Sequence, residues 1–219
     1  MRRVLEPELM EEEAQARAYA LADFEAPHSL IAATLLARAG ALPTEGVALD
    51  LGCGPADITL RVARALPGWR VDGVDGSPAM LGYGERALLA SGLGARVRLV
   101  LGRLPDEVLP EPAYDLVFSN SLLHHLPDPG LLWRAVRRHA RPGAPVVILD
   151  LMRPPDAATA AALVERYSGG EPEILKRDFY NSLCAALCPG EVEASLAQSG
   201  LALRVEAVSD RHLVAWGAA

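Results

Sequence analysis

A chain of 219 residues suits one domain, and a hydrophobic fraction of 51% is enough for a large core. The formal charge of −7, from 21 basic against 28 acidic residues, argues against a broad phosphate-binding surface, and so against nucleic acid as the partner. No apolar run reaches the roughly 18–20 residues that cross a bilayer, and the opening MRRVLEPELMEEE holds no apolar signal core. The expectation is a cytoplasmic protein with no membrane partner that acts on a small molecule; monomer and homodimer both stay open.

Residues 6–22 and 28–39 read as two helices broken near Pro27, and residues 1–40 as an N-terminal helical cap. Residues 47–51 form a short buried strand, and Ile58, Val62, Ala65 and Leu66 mark the apolar face of the helix behind it. WRVDGVD, residues 69–75, is a second strand. Ser77 caps the next helix, with Pro78 at its first position, and that helix runs to about Ala90. Residues 97–101 and 114–119 are the third and fourth strands. Asp128-Pro129 opens a helix that stops near Pro142-Gly143, with Leu131, Leu132, Ala135 and Val136 inward and Arg134, Arg137, Arg138 and Arg141 on its solvated face. Residues 145–151 are a fifth strand. Three helices follow, at 156–168, 172–187 and 190–199, of which residues 154–188 are an inserted helical cover.

Strand–helix alternation with nearly continuous Val, Ile and Leu strands predicts a parallel sheet covered on both faces. The segments 201–208 and 212–217 are joined by only Ser209, Asp210 and Arg211, too short for a helical crossover. The fold class is therefore α/β and doubly wound: a mostly parallel, seven-stranded sheet with a reversed C-terminal strand, helices on both faces and the extra helical cover. Residues 1–219 form a single domain.

In such sheets ligands bind outside the carboxyl ends of the strands, where the strand order switches. After the first strand stands Asp50-Leu51-Gly52-Cys53-Gly54-Pro55, whose glycines allow a tight turn and a close approach to a ligand. A dinucleotide loop needs a small residue where Asp57 stands, so a pyrophosphate would be repelled. Asp50 likewise suits a cationic ligand. Asp75, ending the second strand, can accept hydrogen bonds from both hydroxyls of a ribose, or can simply begin the turn that caps the next helix.

VALDLGCGP, VDGVDGSPAML, YDLVFSNSLLHHL and ARPGAPVVILDL together resemble the successive motifs of class I S-adenosylmethionine-dependent methyltransferases, over about residues 45–151. The resemblance implies Asp50, Gly52, Cys53 and Gly54 against the methionine part of S-adenosylmethionine. It implies Asp75 and Gly76 at the ribose, Ser77 and Met80 beside the adenine, and Asn120 under the methionine. That family often has an acidic residue after the third strand; here Gly102-Arg103-Leu104-Pro105 lacks it, leaving Leu104 to flank the ring. Tyr19, Phe24 and His28 lie in a region that often closes over the cofactor, with Tyr19 assigned to the cofactor and the other two to substrate.

The implied activity is methyl transfer to an O, N, S or C atom of a small-molecule acceptor. Histidine has the right pKa for a general base, and His124 and His125 are the candidates, of which at most one serves because adjacent residues of a turn point apart. Leu175, Phe179, Leu183 and Leu187 make a core stripe, and Asp178, Tyr180 and Asn181 fall off it as residues that could line a substrate pocket, with a solvated face the favoured reading for Asp178. Arg153 can pair with a substrate carboxylate. No metal is expected, because the three cysteines have no further Cys or His at zinc-ligand spacing. The other readings are a non-catalytic cofactor-binding regulatory module, an NAD(P)-dependent oxidoreductase, and a thiol- or metalloid-methylating enzyme using Cys184 and Cys188.

Overall fold

The computed structural model describes residues 1–6, 13–22, 24–106, 109 and 113–219. Its elements, in chain order, are α1 (Glu13–Leu21), α2 (Glu25–Ala39), β1 (Gly46–Leu51), α3 (Asp57–Ala65), β2 (Trp69–Asp75), α4 (Pro78–Ser91), β3 (Val97–Leu101) and β4 (Leu116–Asn120). A single 3₁₀ turn (Leu123–His125) leads to α5 (Gly130–His139) and β5 (Pro145–Leu151). Then come α6 (Ala157–Ser168), α7 (Glu173–Ala185), α8 (Pro189–Ser199), β6 (Arg204–Ala207) and β7 (His212–Ala218).

The strands lie in the order β3-β2-β1-β4-β5-β7-β6. β1 to β5 are mutually parallel, and β7 runs antiparallel to both β5 and β6. The seven-stranded doubly wound sheet with its reversed last strand is therefore present. Alternate residues of the central strands feed two separate cores, as the two-residue period of a strand requires. Leu49, Leu51, Val117, Ile148 and Leu213 face α5 and α8, where Leu132, Trp133, Val192 and Leu196 are buried. Ala48, Leu116, Phe118, Val147 and Val214 face α2 and α3, against Leu35, Ile58 and Val62.

Several predicted boundaries move. Pro27 sits inside the first turn of α2 rather than between two helices, because the first four amides of a helix have no intrahelical partner to lose. Residues 7–12 of the first predicted helix lie outside the described residues. Tyr114 makes only an isolated bridge to Ala140, so β4 starts later than residue 114. The helix predicted to reach 187 stops at Ala185, and Leu187 instead pairs with Met152 beyond β5. Ser77 and Asp156 cap α4 and α6, accepting the amides of Met80 and Thr159.

Candidate active site

Between β1 and β4 the strand order reverses, and a cavity of about 700 Å³ opens there at the carboxyl ends of the strands. One end is built by the turn after β1. The amides of Gly52 and Cys53 both donate to the carbonyl of Val74, at 2.8 and 3.0 Å, which folds the turn back onto β2. Gly52 has φ of +74°, and a Cβ there would lie 2.9 Å from the Leu122 side chain, so only glycine fits without displacement. Gly73 of β2 leaves the room that Cys53 fills, since a Cβ at 73 would stand 2.9 Å from the cysteine Cβ.

Three polar groups face this end. Asp50 is 1% exposed, and its Oδ2 accepts the Thr59 hydroxyl at 2.6 Å. Burial pushes its carboxyl up to about 7, against the pull of the Thr59 bond. Asp75 accepts the amides of Gly54 and Ser77, each at 2.8 Å, and Gly76 also bonds it, which fixes the carboxylate while leaving it capacity to accept further bonds. Burial raises its pKa, with these backbone bonds opposing. Asn120 Oδ1 is buried with no hydrogen-bond partner among the described residues, an acceptor set in the cavity wall. A ligand with cationic and hydroxyl donors answers all three.

Above them stand Tyr19, Phe24 and His28, with ring centroids 5.1 Å apart for the first pair and 4.8 Å for the second. His28 Nδ1 lies 2.7 Å from Asp57 Oδ2, which also takes Arg61 Nε at 2.8 Å. Burial, with Asp57 and Asp75 nearby, pushes the Tyr19 phenol up to about 12. Burial also raises the Cys53 thiol well above its ordinary value, so it is packing rather than a nucleophile.

The other end carries a polar cluster under the 3₁₀ turn. His124 Nδ1 meets Asp150 Oδ1 at 2.5 Å, and Asp150 also accepts the amides of Leu123 and Leu151, both at 2.7 Å. Burial alone would lower His124, but Asp150 outweighs it and the imidazole pKa is raised. Glu6 Oε1 approaches His124 Nε2 at 3.4 Å and His125 Nδ1 at 3.3 Å. Burial raises the Glu6 carboxyl, while His124 and a 3.3 Å bond from Ser182 oppose. Asp178 and Ser182 of α7 complete this wall, beside the apolar Leu126, Leu175 and Phe179.

The structure thus brings Asp50, Gly52, Cys53, Gly54, Asp75, Gly76, Ser77, Met80, Leu104, Asn120 and Tyr19 to one cavity, together with His124, His125, Phe24 and His28. Three substrate candidates are corrected. Arg153 is buried outside the cavity wall, donating to the Ala186 carbonyl at 3.0 Å and to Glu191 at 2.6 Å, so no substrate carboxylate reaches it. Tyr180 and Asn181 also lie off the wall: the tyrosine hydroxyl meets Cys184, and Asn181 is exposed. Asp178, for which a solvated face was favoured over the pocket, lines the cavity.

The reason is rotation. Four residues turn a helix by slightly more than a full circle, so a stripe at strict spacing four drifts around it. Leu175, Asp178, Phe179 and Ser182, at the mixed spacing of three and four, are the face that meets the cavity. Both stripes can be read in the sequence, but packing against α6 and the 3₁₀ turn decides which of them meets the cavity. For Glu6, which touches a residue 176 positions away, no local signal exists. Neither Cys184 nor Cys188 lines the cavity, which removes the basis for thiol chemistry there.

Residues 49–146 match a family described as a methyltransferase domain. Among curated proteins, a ubiquinone biosynthesis O-methyltransferase of Pseudomonas savastanoi pv. phaseolicola is 34% identical over 119 residues, covering 54% of this chain and 50% of the relative. The chain thus matches about half the length of the curated relatives it resembles. Among solved structures, an S-adenosylmethionine-dependent methyltransferase from Aquifex aeolicus superposes with a TM-score of 0.71 at 18% identity, over 94% of this chain and 98% of the other. A Haemonchus contortus phosphoethanolamine N-methyltransferase, solved with S-adenosylhomocysteine, gives 0.62 at 23% identity over 81% and 38%.

Proposed function

We propose that the chain is a class I S-adenosylmethionine-dependent methyltransferase, and that it methylates a hydroxyl oxygen of a small, largely apolar molecule. The observation that carries this reading is the charge layout of the cofactor end: buried Asp50, the orphaned Asn120 Oδ1 and, across the glycine turn, Asp75. Those groups suit an ammonium and a sulfonium at one side and vicinal hydroxyls at the other. The hydroxyl acceptor is favoured by the O-methyltransferase relatives, and its apolar body by Leu126, Leu175 and Phe179 around the far end.

When bound, S-adenosylmethionine supplies a methyl group on an excellent leaving group, so the chain chiefly aligns reactants and excludes water. Asp50 and Asn120 would hold the amino-acid end, Asp75 the ribose, and Met80 and Leu104 the adenine faces. Tyr19, Phe24 and His28 close the cavity above them. The acceptor hydroxyl would enter beside the 3₁₀ turn, where, with no ion bound, one imidazole of the pair would take its proton; Asp150 fixes the orientation of the His124 ring. The bond formed is O–CH₃, the bond broken is S–CH₃, and the charge of the sulfonium is lost.

The NAD(P) alternative has Asp57, tied to His28 and Arg61, where a pyrophosphate would sit, and the matched relatives are methyltransferases. We place the protein in the cytoplasm as part of the same proposal; no helix among the described residues is long and apolar enough to cross a membrane. The test is transfer of labelled methyl to a panel of phenols, amines and thiols. Label should appear on phenolic oxygen, and Asp75→Asn should raise the donor KM at least tenfold, the loss of one charge-assisted hydrogen bond. Transfer only to amines or thiols would overturn the hydroxyl assignment, and absence of donor binding by calorimetry would overturn the whole reading.

A further inference from the structure

The polar cluster at the acceptor end has a geometry that methyl transfer alone does not require. Glu6 Oε1, His124 Nε2 and His125 Nδ1 converge, with separations of 3.4 Å and 3.3 Å from the carboxylate oxygen and all three atoms within 4.8 Å of one another. A four-coordinate ion with bonds of about 2.1 Å places its ligand atoms roughly 3.4 Å apart. Both carboxylate–imidazole spacings match the edges of such a site.

A second feature points the same way. The other nitrogen of His124 is held by Asp150 at 2.5 Å, and the aspartate is itself fixed by two backbone amides. A carboxylate behind a histidine is the usual support of a metal-ligating imidazole, because it sets the ring and leaves the far nitrogen facing the ion. That far nitrogen here faces Glu6. A third feature is the carboxylate. Glu6 has a side chain only 10% exposed, and its Oε1 has no hydrogen-bond partner among the described residues. Asp178 Oδ2, in the cavity wall, is buried in the same condition.

We propose that Glu6, His124 and His125 bind a divalent transition-metal cation. Two imidazoles and one carboxylate favour borderline ions such as zinc, cobalt(II), iron(II) or manganese(II) over calcium or magnesium, which prefer all-oxygen sets. The three donors leave a coordination position for a substrate oxygen on the cavity side. If the methyl-transfer reading holds, an acceptor hydroxyl bound there ionises more readily, and its proton leaves to solvent or to a neighbouring carboxylate. Metal binding itself does not depend on that reading.

The sequence does not advertise the site, since adjacent histidines have no zinc-ligand partner nearby and the carboxylate comes from the far N-terminal segment. The expectation of no metal donors rested on cysteine and histidine spacing and could not include Glu6.

The test uses the full chain, stripped with a chelator, dialysed and titrated with cobalt(II) and zinc in the absence of S-adenosylmethionine. One equivalent should bind, with a visible cobalt band of the kind given by nitrogen and oxygen ligands, and the melting temperature should rise. Glu6→Gln, nearly isosteric, should weaken binding at least tenfold and remove the melting shift. Asp150→Asn should weaken it by roughly 10–100-fold, the usual effect of losing a carboxylate that supports a ligating histidine. Should Glu6→Gln fail to fold by circular dichroism, His125→Ala replaces it. No stoichiometric binding by the stripped chain, or equal binding by the glutamate and histidine variants, would overturn the proposal. Methyl transfer could fail while metal still binds, so the two readings fall separately.

Discussion

Asp50 makes the glycine-turn end of the cavity sensitive to pH. Its folded pKa of about 7 lies above the ordinary 3.8, so the folded chain holds the proton more tightly than the unfolded one does. The contribution of Asp50 to stability is therefore greatest below about pH 4 and is lost progressively as pH rises towards 7, by at most about 1.4 kcal/mol per pH unit. A cation seated against Asp50 favours the ionised form, so binding expels the proton. Donor affinity should climb with pH by up to about tenfold per unit between about pH 5 and 7, then level off. Calorimetry in two buffers of different ionisation enthalpy should show the proton released, and Asp50→Asn should lose most of it. A flat affinity over that range in the wild type would remove Asp50 from the cation site. Gly52 tests the same end by shape. Gly52→Ala combines a positive φ with a Cβ 2.9 Å from Leu122, and should cost about 1–3 kcal/mol in a denaturant melt.

Among the elements, the first six residues act as a strap. Arg3 Nε donates to the Ala185 carbonyl at 2.5 Å, and its NH2 group reaches the carbonyls of His124 and Leu126 at 3.1 and 3.0 Å. The Val4 amide meets the Cys184 carbonyl at 3.1 Å, and the terminal ammonium donates to Pro155. One side chain thus satisfies carbonyls from the end of α7 and from the 3₁₀ turn, and sets Glu6 beside the histidines. Arg3→Met keeps much of the stem's packing but strands those carbonyls, so stability should fall by about 1–3 kcal/mol. Amide exchange across residues 123–126 should speed up; unchanged exchange there would show that the turn stands without the strap. Strands, caps and the glycine turn follow from neighbouring residues, and so were readable. Which side of α7 faces inward depended on its packing against α6 and the 3₁₀ turn, which is why Tyr180 and Asn181 were misplaced.

At the scale of the whole molecule, the cavity separates two parts of the sheet's covering, and a ligand spanning it should stabilise the fold. S-adenosylmethionine at 100 times its Kd should add about 2.7 kcal/mol, which for a chain of this size corresponds to a melting shift of roughly 5–11 °C. NAD and NADP should leave the melting temperature unchanged in the same scan; a shift with either would revive the oxidoreductase alternative.

The sequence by itself determined the doubly wound sheet and the glycine-turn end of its cavity. Both depend on apolar runs, turn glycines and strand-end carboxylates, whose partners lie within one strand–turn–helix unit or its neighbour. Only the tertiary structure decided the acceptor end. Glu6, Asp150 and Asp178 come from the N-terminal strap, β5 and α7; long-range packing, rather than local spacing, sets the first two against His124 and puts Asp178 in the cavity wall. Arg153 shows the converse. Its position after a strand marked it for the site, but burial required a partner for its charge, and Glu191 of α8 supplied one.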